Sequence, residues 1–243
     1  MVDSASAMAD RLGVSDATVV RTAQALGYSG LPELRRALAG QVDDLTLDER
    51  LHRTLAQGDA DVLATAADAL FVSIDALLHQ VAGPRFDHAV DILAGAGRLL
   101  WSGIGPSASV AEYASVLARR LGRPSRALTR AGPAGADDLL ELDTSCAVVV
   151  LTYGRVQPHV DALLGRAAEL SLPVVLVTDV LEQDLGHRVA QTLVCWRGTP
   201  GLFASHAATM VLVEGLLMGL ARRDPARAEA SLARLEDLRS PHG

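Results

Sequence analysis

The sequence predicts an α/β protein in which a small all-helical segment precedes a five-stranded parallel sheet with helices on both faces. The prediction rests on a change of rhythm along the chain. The first forty residues read as short helices separated by glycines. After residue 97, short apolar runs (RLLWSG, CAVVVLT, PVVLVTD and QTLVCW) recur, separated by amphipathic stretches of helical length. Near-continuous apolar strands alternating with helices signify a parallel sheet covered on both sides. A shorter strand at Ser125–Leu128 makes five.

Each element has its own signal. Residues 5–12 (ASAMADRL) are good helix formers with Met8 and Leu12 one turn apart, and the run stops at Gly13. Ser15 then caps a second helix, DATVVRTAQAL, with Val19, Val20, Ala23 and Leu26 as its apolar stripe and Gly27 as its end. Pro32 opens a third, PELRRALAG. The polar stretch QVDDLTLDER at residues 41–50 reads as a linker, so the expected division is 1–45 for the helical segment, 46–60 for the linker and 61–243 for the sheet domain. Helices are expected over 61–80, with Leu63, Ala67, Leu70, Ile74, Leu77 and Leu78 on one face, and over 85–94. Two more fill the last forty residues, broken near Asp224-Pro225.

Composition narrows the function. At 243 residues and 49% hydrophobic content the chain can bury a sizeable core. Its apolar runs fall short of a bilayer span and its start lacks a secretory signal, so no membrane segment and a cytoplasmic location are expected. All 22 basic residues are Arg, which excludes a Schiff-base or P-loop lysine. A net charge of −7 argues against general affinity for nucleic acid, so any DNA contact must be local. Cys146 and Cys195 sit in apolar runs and read as buried thiols. The histidines lack metal-ligand spacing, and no cofactor or metal is expected.

Two helices joined by Gly13-Val14-Ser15 match helix-turn-helix geometry, in which the second helix presents its first residues to a major groove. Ser15, Thr18, Arg21 and Thr22 lie off the apolar stripe, and Arg21 is the candidate for a guanine contact. An ordinary helical hairpin with a solvated face would give the same spacing. The detailed string Leu12-Gly13-Val14-Ser15, Ala17-Thr18-Val19-Val20-Arg21, Leu26-Gly27-Tyr28-Ser29-Gly30 and Pro32-Glu33-Leu34 resembles the DNA-binding segment of the RpiR family of bacterial sugar-metabolism regulators. The resemblance implies a recognition helix placing Ser15, Thr18, Arg21 and Thr22 at the DNA. Family members usually carry about thirty further residues ahead of this point, so it also implies either a start assigned too far downstream or the loss of part of the DNA grip.

The strand RLLWS runs into Gly103-Ile104-Gly105-Pro106-Ser107 and then a helix. Glycines admit an anion close to the backbone, and the helix start offers free amides and partial positive charge. A glycine turn also serves simply to leave a strand. Residues 92–122 resemble the opening of a sugar isomerase (SIS) domain, the module that follows the helix-turn-helix in the same family, and element order extends the likeness over about 61–220. It implies that Gly103, Gly105 and Ser107 hold a phosphate or sugar hydroxyls. The second ligand loop of that family, Ser-x-Ser-Gly, stands here as Thr152-Tyr153-Gly154-Arg155. One hydroxyl remains, and Arg155 either replaces the lost one as an anion clamp or is a solvated loop residue.

Asp179 ends the fourth strand where ligands sit in open sheets, or caps the next turn. His206 and Glu214 fall where SIS proteins turn side chains toward ligand or partner. Arg119, Arg120, Arg123, Arg126 and Arg130 form a basic cluster, read as solvated or as an intersubunit salt network ahead of DNA contact. The expected protein is a DNA-binding transcriptional regulator, not an enzyme. Its partners would be a double-stranded operator and a phosphorylated sugar or similar anionic metabolite, and it would work as a homodimer or homotetramer. The alternative is a sugar-phosphate isomerase or related SIS-fold enzyme, for which Glu214 and His206 are the candidate bases.

Overall fold

The computed structural model describes residues 14–28, 30, 34, 46–56, 61–197 and 203–240. The chain divides into two compact units, residues 1–80 with 195–208 and residues 81–194 with 209–243.

In the first unit, helix α1 (Asp16–Ala25) begins at Ser15, whose hydroxyl accepts from the Thr18 amide at 3.3 Å. Gly27 ends it at φ +89°, a conformation that costs a β-carbon-bearing residue. Ala23 is buried, whereas Leu26, expected in the same stripe, is exposed beyond the helix end. The helices expected over 5–12 and 32–40 lie outside the described residues, except that Leu34 is helical. The segment read as linker contains a helix, α2 (Leu47–Leu55). Its polarity hid a capping box: the Thr46 hydroxyl accepts from the Glu49 amide at 3.2 Å, and the Glu49 carboxylate from the Thr46 amide at 2.7 Å.

Helix α3 (Val62–Val81) starts at Asp61, whose Oδ1 accepts from the amides of Leu63 and Ala64, each at 3.0 Å. Of its expected apolar face, Leu77 is buried but Leu63 and Leu78 are exposed, as is Phe71. With a mean hydropathy of 1.6 it is long and apolar enough to cross a membrane, contrary to the expectation that no segment qualifies. Asp68 and Asp75 within it would be expensive in hydrocarbon, so the surface reads better as one to be covered by protein.

The second unit runs α4 (Pro84–Ala94), β1 (Arg98–Ser102), α5 (Pro106–Arg120), β2 (Ser125–Leu128), α6 (Gly132–Leu139), β3 (Cys146–Leu151), α7 (Pro158–Glu169), β4 (Val174–Thr178), α8 (Glu182–Leu185) and β5 (Gln191–Val194). Most of α9 (Ala207–Arg223) and all of α10 (Pro225–Arg239) complete it, with the break at Asp224-Pro225 as expected. The five strands are parallel, as the apolar runs predicted, and stand in the order β2-β1-β3-β4-β5. Every residue of β3 is buried, which is why CAVVVL shows no polar alternation.

On one face Leu100, Val148, Val150 and Leu176 pack with Leu163 and Leu164 of α7, each buried side chain being worth roughly 1.5–3 kcal/mol. On the other, α5 lies along β1 and β2 and α4 against β5. Gly219 of α9 allows close packing, since a β-carbon there would meet Val90 of α4 at 2.7 Å. Trp101 is fully buried and donates through Nε1 to the Ser125 hydroxyl at 3.1 Å, fastening β1 to β2.

Asp143 fixes the entry to β3. Its carboxylate accepts from the Ser145 hydroxyl and amide and from Arg98 at the start of β1, and these donors hold its pKa at about 2. A carboxylate depressed by folding stabilises above its unfolded pKa, and the contribution is lost as pH falls from about 4 toward 2. Asp143→Asn is therefore expected to flatten the fall of the urea midpoint across that window. A slope identical to that of the parent chain would show that Asp143 contributes nothing to it.

Candidate functional site

On α1 the four residues expected at DNA share the accessible side. Ser15, Arg21 and Thr22 are exposed and Thr18 is half-buried. The Ser15 and Thr18 hydroxyls lie 2.9 Å apart, Thr22 donates to the Thr18 carbonyl at 2.9 Å, and Arg21 Nε to the Ala17 carbonyl at 3.2 Å. These local bonds are ones an exposed helix makes in water, so all four side chains can exchange them for phosphate or base contacts.

In the sheet, strand order reverses between β1 and β3, so the loops leaving those strands diverge and open a crevice at their carboxyl ends. Open α/β sheets bind ligands at such a point. Register brings Ser102 beside Val150 and Leu151 beside Val177, so residues 103–107 and 152–155 leave the same sheet edge. At Gly103 a β-carbon would meet the Ser107 carbonyl oxygen at 2.5 Å; only glycine lets the strand end fold onto the start of α5. Gly105 turns the chain at φ +61° and Pro106 opens α5, with no side chain capping its amides. Ser107 is buried beside Gly103.

The second loop departs from simple anion-cradle geometry. Gly154 sits at φ +72° and donates its amide to Asp179 Oδ1 at 2.9 Å, so that N–H is committed to a carboxylate. Asp179 also accepts from the Val180 amide at 2.9 Å. Of the two uses open to it, the turn-capping one is present, with the addition that it ties β4 to the second loop. Thr152 is buried, and the Tyr153 hydroxyl lies 2.8 Å from that of Thr209. Arg155 is exposed and forms no ion pair among the described residues.

Against this edge lies a cleft of about 200 Å³ between α6 and α7, lined by Ser102, Leu128, Arg130, Asp138, Leu139, His159, Ala162 and Leu163, among others. It was not foreseen, because α6 carried no strong apolar period. Asp138 is 97% buried on the side-chain scale yet charged: Arg130 Nε donates to it at 3.0 Å and Arg126 Nη2 at 2.8 Å, and Arg130 is the main cause of its lowered pKa. Arg126 also pairs with Glu141. Arg126 and Arg130 of the basic cluster thus find carboxylate partners within the chain. Arg123 is buried too, donating to the Ala94 carbonyl at 3.0 Å, while Arg119 donates to the Ser115 hydroxyl and the Ser125 carbonyl at 3.3 Å each. Burial pushes His159 below the usual histidine pKa, so its imidazole is neutral near pH 7.

Glu214 does not line the cleft; it accepts a 2.6 Å hydrogen bond from Tyr113, and that bond raises the phenol's pKa. His206 belongs to the other unit. Both cysteines are free and buried. Among the described residues no group of three or more His, Cys, Asp or Glu is arranged to hold a metal.

These features define a two-part protein: a helical N-terminal segment and a doubly wound sheet with a glycine loop at its switch point. Residues 2–44 match the helix-turn-helix domain of the rpiR family. The sheet fold is shared with the sugar isomerase domain of an RpiR transcription factor from Sphaerobacter thermophilus, at TM-score 0.67 and 24% identity over 73% of this chain and 99% of that one. The NanR protein of Vibrio vulnificus, solved with ManNAc-6P, is similar over 98% of this chain and 85% of its own, at TM-score 0.64 and 22% identity. A Methanococcus jannaschii protein interpreted as a 3-hexulose-6-phosphate isomerase shares the fold at TM-score 0.56 and 10% identity, over 69% of this chain and 97% of that one. A sequence search of curated proteins finds no match. The resemblance to the RpiR family is borne out: its helix-turn-helix lies at the N-terminus, ahead of a sugar-isomerase fold.

The geometry of the first loop carries its own test. Gly103→Ala is expected to cost about 1–3 kcal/mol by overpacking, because the new methyl meets backbone rather than a flexible side chain. Chemical denaturation measures it, and an unchanged midpoint would mean that the loop relaxes freely.

Proposed function

We propose that the chain is a transcriptional regulator whose helix-turn-helix reads a DNA operator and whose sheet domain senses a phosphorylated sugar or similar anionic metabolite. The observation that carries this reading is the union, in one chain, of an rpiR-family helix-turn-helix match with a sugar-isomerase fold bearing a glycine loop at its switch point. The effector's anion would sit at Gly103, Gly105 and Ser107, with Thr152, Gly154 and Arg155 on the opposite lip. Because the Gly154 amide is held by Asp179, the first loop and Arg155 would supply most of the attraction. Effector binding would then shift the balance between arrangements of the DNA heads. The protein would act in the cytoplasm as a homodimer or homotetramer and would not be an enzyme. The exposed apolar side of α3 favours self-association, since that much apolar surface is costly to leave in water.

A second reading, an isomerase of sugar phosphates, draws support from the isomerase among the structural relatives. Turnover of aldose and ketose phosphates by the purified chain would establish it, with Glu214 and His206 as the bases to replace.

Selection of bound fragments from random and genomic DNA at about 0.1 M salt tests the leading reading. A two-fold symmetric site with half-sites about 34 Å apart is expected, and no enrichment would count against DNA reading by this chain. Arg21→Ala should weaken binding by about 1–3 kcal/mol and relax preference at one base pair; unchanged affinity and preference would remove Arg21 from the interface. Ser107→Ala should weaken the effector by roughly 1.5–3 kcal/mol if it bonds a charged group, and an intact response would move the site elsewhere. Light scattering should give a mass of two or four chains, and replacing Phe71 and Leu78 by Ser should lower it.

A further inference from the structure

Arg130 stands on the wall of the cleft between α6 and α7, and α6 holds it at both ends. At Gly135 a β-carbon would meet the Arg130 carbonyl oxygen at 2.4 Å, so only glycine lets the helix close on the backbone that carries the arginine. One turn later Asp138 takes the side chain: its Oδ2 accepts from Arg130 Nε at 3.0 Å and its Oδ1 from Arg130 Nη2. An arginine in water samples many rotamers. This one is fixed at backbone and guanidinium alike, although its side chain is half-exposed.

Neutralising Asp138 does not require this. Arg126, which does not line the cleft, already donates to Asp138 Oδ1 through Nη2 at 2.8 Å. A buried ion pair is in any case a weak source of stability. What the arrangement secures is direction. With Nε and one Nη2 hydrogen committed to Asp138, the guanidinium keeps both Nη1 hydrogens and the second Nη2 hydrogen, and among the described residues no other acceptor takes them. They form the end of the fork that fits two oxygens of a carboxylate or phosphoryl group. The surroundings strengthen such a pair: Leu128, Leu139, Pro158, Ala162 and Leu163 lower the local dielectric, and His159, neutral near pH 7, brings no charge of its own. The Gly103 amide donates to the Leu128 carbonyl at 3.1 Å, two residues short of Arg130, so arginine and glycine loop stand at the ends of neighbouring strands.

We propose that Arg130 is an anion-binding residue of the sheet domain, aimed by Asp138 and Gly135, and that it pairs end-on with an oxyanion of the effector. This rests on the reading that the domain binds an anionic metabolite. Arg130 touches the ligand; Asp138 is a positioning residue and does not. Arg126 balances the buried carboxylate, so that the charge of Arg130 stays available to the ligand.

Calorimetric titration of the full chain with glucose 6-phosphate and with inorganic phosphate tests it. Arg130→Gln should weaken glucose 6-phosphate roughly ten- to hundredfold, and Arg130→Lys, which keeps the charge and loses the fork, should recover only part of that. The loss should appear with inorganic phosphate too; a loss confined to glucose 6-phosphate would place Arg130 on the sugar and overturn the pairing with an oxyanion. Arg126→Gln removes the same charge outside the cleft lining and should cost no more than about fivefold; a loss equal to that of Arg130→Gln would overturn the contact in favour of a general field. Asp138→Asn should weaken binding in the parent chain and add nothing in the Arg130→Gln background, because it acts only through the arginine. Additive losses would overturn its positioning role. Arg130→Gln leaves Asp138 paired with Arg126, so the test stands even if Asp138→Asn does not melt cooperatively. Undiminished affinity in Arg130→Gln, with binding still weakened by Ser107→Ala, would overturn the assignment while keeping the effector site. No binding of either probe by the parent chain would overturn both.

Discussion

The strands of the sheet hydrogen-bond in parallel, so each return to the starting edge is a crossover that must lie on one face or the other. Only between β1 and β3 do consecutive crossovers diverge, and everything of functional interest in the second unit is arranged around that gap. The glycine contact between Gly103 and Ser107, the Trp101 bond to Ser125 and the Asp143 turn all act to hold β1 in register with its neighbours. A shift of β1 by one residue would turn Ser102 away from the cleft and bring its opposite face to the mouth.

Much of this order was legible in the residues. The apolar runs gave the other four strands, most plainly the central ones, because strands buried on both faces carry few polar positions, whereas the half-buried edge strand Ser125–Leu128 was read from its shorter signal. Caps and stops served equally well for α1 and for the break at Asp224-Pro225. The failures share a cause, which is that local composition says little about distant partners. QVDDLTLDER reads as linker until Thr46 and Glu49 are seen as a reciprocal pair. The glycine loop after β1 was visible because its glycines and helix start are contiguous, whereas the cleft is built from four separate segments and left no periodic trace. The arginine cluster was seen, but its acceptors lie beyond β2, Asp138 in a helix that sequence did not single out and Glu141 in the turn after it.

That cluster shows how charge is used in a chain without lysine. Arg130 and Arg126 converge on one buried carboxylate, and the planar fork of each guanidinium lets two cations share Asp138 without opening the fold to water. Removing Asp138 alone would leave two arginines facing each other, so the cluster is a cooperative unit rather than a sum of pairs.

The bond from the Gly154 amide to Asp179 has a mechanical side. It joins the loop after β3 to the loop after β4, so the two are a single piece and neither can shift alone. A ligand that displaced Gly154 would forgo about 1.5–3 kcal/mol of its own affinity to break that charge-assisted bond. A ligand that bound only with that bond broken would favour, by its own differential affinity, whatever arrangement of the two loops goes with the broken bond. Weak grip and strong signal would then be two readings of one hydrogen bond.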